Sequence, residues 1–110
     1  MLEKQIEKAI LNYLTTWCGF FAWKNHTTGI YSKERKQFLK SRNKYAIKGV
    51  SDIIAITHSG KVLFIEVKST KGRMSEDQKL FEEKVKEYKG HYVVARSVDD
   101  VMDFLNEVGV

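Results

Sequence analysis

The chain has no proline, a single cysteine and no apolar run long enough to cross a bilayer as a helix. Cys18 alone excludes an internal disulfide and any zinc site built from several cysteines; it reads as a small apolar residue at the end of a helix. No secretory leader and no low-complexity segment stand out, so the expectation is a soluble intracellular protein with no membrane association. His26, His58 and His91 show no metal-ligand spacing, which argues against a histidine zinc site or a His-Asn-His type nuclease. Neither Ser51 nor Ser69 lies in a Gly-x-Ser-x-Gly elbow, so no serine nucleophile is signalled. Acids are also in deficit. The 110 residues hold 19 Lys and Arg against 14 Asp and Glu, a net charge of +5 that favours a polyanionic partner. That length allows one domain with one core.

The excess charge is concentrated. Lys24, Lys33, Arg35, Lys36, Lys40, Arg42, Lys44 and Lys48 face a single acid, Glu34, over the same stretch. Tyr31, Phe38 and Tyr45 are interleaved, and His26, Thr27, Thr28 and Gly29 add small polar groups near its start. Such a segment can track a phosphate backbone, with its aromatics stacking on bases or anchoring the loop. The bland alternative is a solvated connection, but long connections without a function are uncommon inside a compact domain. A short helix or a hairpin around Lys33–Lys44 fits the pattern equally well.

Two short stretches carry the chemistry: Gly49-Val50-Ser51-Asp52 and Ile65-Glu66-Val67-Lys68. Each puts an acid into or beside a β-branched apolar run, where a charge is expensive unless something binds it. Residues 51–57 and 62–68 read as strands. A loop of His58, Ser59 and Gly60, with the glycine left-handed, pairs Thr57 with Lys61. Counting back sets Asp52 opposite Glu66, and the period of two puts Lys68 on the same face. A two-residue loop would instead oppose Asp52 to Val67 and scatter the cluster. Opposed carboxylates repel unless a cation sits between them, and hard oxygen ligands on a sheet suit Mg²⁺ or Mn²⁺. Lys68 is placed to orient a water or to stabilise charge on a phosphate. An ordinary ion pair on an exposed strand edge is the alternative. It is weakened because Ile53, Ile54, Ile56, Leu63, Phe64, Ile65 and Val67 populate both faces, as in a covered central strand.

The remaining elements follow from periodicity. Leu2, Ile6, Ala9, Ile10, Tyr13, Leu14 and Trp17 recur at helical spacing, with Gly19 ending the helix. A short strand is predicted over 20–24, a helix over 75–89 with Leu80, Phe81, Val85 and Tyr88 as its apolar positions, a strand over 91–96, and a last helix from Ser97 to about Glu107. The order α-β-β-β-α-β-α predicts an α/β domain with a mixed sheet. The crossover through the second helix should make the flanking strands parallel and the connection right-handed.

An early helical acid, the Gly-x-x-Asp strand, the Ile-Glu-Val-Lys strand and Ser75-Glu76-Asp77-Gln78 opening a helix, in that order, resemble the virus-type replication-repair nuclease (VRR-NUC) domain. That family belongs to the PD-(D/E)XK nuclease superfamily, and the resemblance runs from about Glu3 to Leu105. It implies an αβββαβ restriction-endonuclease-like core, a mixed sheet flanked by helices, filling residues 1–110 as one domain. It also implies that Asp52, Glu66 and the Val67 carbonyl bind metal, that Lys68 is the motif lysine, and that Gln78 is the family glutamine. Ser75 to Gln78 also match a capping box, so Gln78 has a second, purely structural reading. The helix-one acid maps to Glu3, with Glu7 as competitor; either also reads as a favourable charge early in a helix, as do Glu76 and Asp77. The proline that often precedes the family's Asp is Ser51 here; since that proline is no ligand, the departure leaves the site intact.

The expectation is therefore a Mg²⁺-dependent DNA endonuclease, with Mn²⁺ as substitute, in which the metal lowers the pKa of a water that Lys68 positions for in-line attack. The segment from Lys24 to Lys48 would grip the DNA backbone with little sequence specificity. A chain this small reads few bases, which points to branched DNA. Stand-alone members of this kind resemble Holliday junction resolvases, implying a homodimer. Phe20, Phe21, Trp23 and Phe38 are the candidate interface residues. Two rival readings stand beside it: a non-catalytic DNA-binding module, and a site-specific nuclease of restriction or homing type.

Overall fold

Four strands form one sheet in the order β1 (Phe21–Lys24), β4 (Ile53–Ile56), β5 (Val62–Val67), β6 (His91–Ala95). A separate two-stranded antiparallel sheet pairs β2 (Ile30–Ser32) with β3 (Gln37–Leu39). The helices are α1 (Glu3–Asn12), α2 (Glu76–Glu87) and α3 (Val98–Val108). This computed structural model describes residues 2–25 and 46–110, and the backbone of residues 30–32 and 37–39.

The central hairpin has the register expected from a three-residue turn. Ile53 opposes Ile65 and Ile56 opposes Val62. Thr57 N–H then donates to the Lys61 carbonyl at 2.9 Å, and Gly60 holds φ +86°. A side chain at that angle is strained, so glycine suits the turn and fixes the pairing. β1 pairs with β4 and β4 with β5 antiparallel, whereas β5 and β6 are parallel, as the crossover through α2 requires.

Period-two alternation sorts the sheet into two faces. Ile53, Ala55, Leu63, Ile65, Val67 and Ala95 point one way, into a core with Ile6, Ile10 and Leu14 of the first helix and Val101, Phe104 and Leu105 of α3. Full burial of each large aliphatic among these contributes about 1.5–3 kcal/mol. The opposite face carries Phe64, Glu66 and Tyr92, and α2 covers its β5–β6 side. Phe81 meets Phe64 edge-on with ring centroids 5.4 Å apart, and Tyr92 at 6.1 Å. Both faces of β5 are thus covered, and its sequence is apolar on both accordingly.

Two details differ from the periodic reading. The first helix ends in a π-helical turn over Tyr13–Trp17, closed by Cys18 N–H donating to the Tyr13 carbonyl at 3.0 Å. The wider turn rotates Trp17 off the apolar stripe, leaving it 79% exposed, although its spacing from Leu14 suits an α-helix. On α2, Phe81 is buried, whereas Leu80 and Tyr88 are exposed. With Ile47 and Phe64 they border an open apolar groove of about 690 Å³. Within the basic segment, residues 30–32 pair antiparallel with 37–39, and most of the stretch Lys33–Lys44, where a short helix or a hairpin was expected, lies outside the described residues. Lys33, Arg35, Lys36, Lys40, Arg42, Lys44 and His26 lie outside the described residues.

Candidate active site

Asp52 leaves the β4 ladder one residue early. Its Oδ2 accepts the Val67 N–H at 2.9 Å, while its own carbonyl accepts the Asn25 N–H at 2.7 Å. The side chain is thereby tied to the strand opposite, next to the Glu66 that the register sets across from it. Ser51, fully buried just before it, donates its hydroxyl to the Ile53 carbonyl at 3.1 Å. That bond stiffens the entry to β4.

Glu66 is 1% exposed on β5, under α2. Lys68 follows two residues on, its side chain also largely buried, with Nζ 3.7 Å from Glu66 Oε1. Gln78 completes the group. Its Nε2 donates to Glu66 Oε1 at 2.9 Å, while its Oε1 accepts the Ser75 N–H at 2.9 Å and its N–H donates to Ser75 Oγ at 3.2 Å. The capping box is formed, and the same side chain also contacts Glu66. Because the amide oxygen is held by an N–H donor, the NH₂ has to be the end that meets Glu66, which settles the orientation.

Gly49 explains how α2 reaches this position. A Cβ at Gly49 would sit 2.3 Å from the Asp77 carbonyl oxygen and 2.6 Å from the Gln78 nitrogen, and its φ is +76°. The approach to β4 is pressed backbone to backbone against the first turn of α2, bringing Gln78 over Glu66.

The electrostatics turn on the Glu66 carboxylate. Glu66 Oε2 is buried and has no hydrogen-bond partner among the described groups. Burial first, and then the Asp52 charge, push the Glu66 carboxyl up to about 8, against the opposing pull of Lys68. The other orphaned atom, Tyr92 Oη, lies on the same face of β6; burial and the charges of Glu66, Glu82 and Asp52 raise that phenol. An unpartnered carboxylate oxygen facing a second carboxylate is the donor set that a hard divalent ion takes, so Asp52 and Glu66 fit Mg²⁺ or Mn²⁺.

A pH dependence follows. Unfolded, Glu66 has the ordinary carboxyl value of 4.5; folded and metal-free, burial and the Asp52 charge push it up to about 8. The folded state binds the proton more tightly, so this group's stabilising contribution is complete below about pH 4.5 and is lost as pH rises to about 8. Urea denaturation in EDTA is expected to show stability falling across that window, and a flat or rising profile attributable to Glu66 would contradict the burial argument.

The remaining candidates lie apart. Glu3 is exposed at the start of α1, whose buried face joins the core on the other side of the sheet. Glu7 is engaged by Lys24, Nζ to Oε1 3.1 Å. Among the described residues no third acid, histidine or cysteine joins Asp52 and Glu66 in one metal-holding group. Lys24 points toward α1 through that ion pair, whereas Lys48 is exposed beside the approach to β4. His58 ties the hairpin turn to the end of the first helix, Nε2 to the Cys18 carbonyl 3.2 Å, and packs edge-on to Phe20. Arg96 escaped the sequence reading; it follows β6 and reaches back to the loop after Lys68. No sequence motif marks it, since its partners are backbone carbonyls.

A mixed four-stranded sheet between helices, with opposed Asp and Glu on its central hairpin and a lysine two residues on, defines a nuclease core of the restriction-endonuclease-like class. Residues 1–99 match the VRR-NUC domain, and the chain belongs to that family. No curated protein matches it.

Proposed function

We propose that this VRR-NUC nuclease is a Mg²⁺-dependent DNA endonuclease selective for branched DNA, working as a homodimer. The observation that carries the reading is the buried Glu66 carboxylate, one oxygen orphaned, set against Asp52. Asp52, Glu66 and the Val67 carbonyl would hold the ion, with Mn²⁺ as a substitute. Bound there, a divalent ion supplies an acidified water and neutralises charge on the phosphate. Lys68 presents its ammonium beside Glu66, where it can orient the attacking water or a non-bridging phosphate oxygen. Gln78 holds Glu66 in one rotamer, so the carboxylate need not reorganise when the substrate arrives. The resemblance adds Glu3 as an accessory acid, and Lys24 to Lys48 as the segment that grips the backbone without reading bases. Exposed Phe21 and Trp23, tilted against each other with ring centroids 4.9 Å apart on the edge strand, support a self-association surface; Phe20 is half-buried, and the Phe38 side chain lies outside the described residues.

The test is cleavage of labelled four-way junction, flap and linear duplex DNA in Mg²⁺, Mn²⁺ or EDTA, with Asp52→Asn beside wild type. Paired cuts across the junction, lost in EDTA and in the variant, are expected. Binding without cutting would favour a non-catalytic module. Discrete products from linear duplex, with no preference for branches, would favour a site-specific nuclease.

A further inference from the structure

The turn that follows Lys68 is closed by one side chain from another strand. Arg96, next after β6, donates from Nη1 to the Ser69 carbonyl at 2.5 Å and the Gly72 carbonyl at 2.8 Å, with a longer contact to Thr70 at 3.4 Å. Among the described residues no carboxylate lies within ion-pair distance of this guanidinium. Its work is thus the turn itself. The main chain of Arg96 is fixed in its turn: its N–H donates to Asp100 Oδ2 at 2.8 Å, and the neighbouring Ala95 carbonyl accepts the Lys68 N–H at 3.0 Å.

Gly72 passes the restraint on. A Cβ there would lie 3.1 Å from Ser69 Oγ and 3.4 Å from Lys68 Cδ, so the turn folds back against the stem of Lys68 itself. Gly72 N–H donates to the Ser69 carbonyl at 3.0 Å, the bond that closes the turn. The chain of contacts runs from α3 through Arg96 and Gly72 to the ammonium beside Glu66.

Resting on the nuclease reading above, we propose that Arg96 is a positioning residue of the reaction: it cinches the 69–72 turn onto the Lys68 stem and so fixes where the ammonium stands. A long flexible amine is an entropically poor positioning group, and displacement of a catalytic group by about 1 Å costs up to about 10²-fold in rate.

The experiment is a double-mutant cycle under single-turnover conditions, with Arg96→Ala, Arg96→Lys, Lys68→Ala and the Arg96→Ala/Lys68→Ala pair. Arg96→Ala is expected to lower the maximal rate about 20-fold with the half-saturating DNA concentration within about 2-fold. Arg96→Lys, which can still reach one carbonyl, should recover to within about 3-fold of wild type. In the Lys68→Ala background the Arg96 substitution should cost less than about 2-fold, because the group it serves is gone. An equal loss in both backgrounds, or a loss confined to DNA affinity, would overturn the proposal. A second readout is independent of cleavage: NMR relaxation of the Lys68 ¹³Cε in the full chain should report an ordered side chain in wild type and a mobile one in Arg96→Ala. An unchanged order parameter overturns the cinch. A wild-type chain that cuts no DNA overturns the nuclease reading instead, while the relaxation data still decide whether Arg96 orders Lys68.

Discussion

Glu66→Gln is expected to make the metal-free protein more stable at pH 8 while lowering DNA cleavage by roughly 10²-fold or more. Both effects come from one carboxylate. Glu66 is 1% exposed, one oxygen has no partner among the described residues, and the folded protein holds its proton up to about pH 8. Ionising it without a cation therefore works against folding, and a neutral isostere that still accepts the Gln78 amide hydrogen bond removes that penalty. The gain expected at pH 8 is about 1–3 kcal/mol, vanishing below about pH 4.5, where wild type is itself protonated. Mg²⁺ should invert the order, stabilising wild type most at alkaline pH and leaving the variant nearly unaffected. Paired urea titrations at pH 5 and 8, with EDTA and with Mg²⁺, measure all four values. A variant that keeps the wild-type pH slope would remove Glu66 as its source. Stability given up at a functional position is the expected signature of a site shaped for a ligand.

Gly49→Ala should cost about 3 kcal/mol or more, with loss of cleavage following from the damage to the site. The Cβ would meet the Asp77 carbonyl oxygen at 2.3 Å, and that obstacle is backbone that cannot rotate away. The φ of +76° adds strain of its own, about 1 kcal/mol for an alanine. Relief requires the first turn of α2 to move, and Gln78 moves with it. For a domain of this size the loss corresponds to a fall of roughly 10–20 °C in Tm. Gly60→Ala is the internal comparison, because it shares the positive φ but a Cβ there meets nothing within 4 Å. The two variants should differ by about 2 kcal/mol or more, and equal losses would assign the whole effect to backbone strain.

What the sequence made legible tracks how local the determining physics is. The three-residue turn at His58–Gly60 sets the β4–β5 register, and parity alone then places Asp52, Glu66 and Lys68 on one face, as found. The capping role of Gln78 was legible, because a capping box is a local four-residue pattern, Ser75 to Gln78; its contact with Glu66 is what the fold adds. Trp17 was not, because the π-turn that rotates it outward has no spacing signature of its own. Lys24 illustrates the same limit: a run of basic residues does not reveal that one of them answers Glu7 across an element boundary. Gly49 was visible as part of a motif, yet the reason for it lies in the Asp77 backbone, about thirty residues along the chain. Arg96 was invisible, since main-chain carbonyls leave no trace in the identities of the residues that own them.

The two-ended amide of Gln78 has a consequence for the order in which the molecule assembles. One end secures the start of α2 and the other secures the carboxylate, so the helix start and the arrangement of the site are coupled through one side chain. A folding chain that has paired β4 with β5 but has not yet wound α2 holds Glu66 with neither its roof nor its donor. It then retains the carboxyl in a state closer to that of a free acid. Winding the first turn of α2 is what supplies both roof and donor to Glu66.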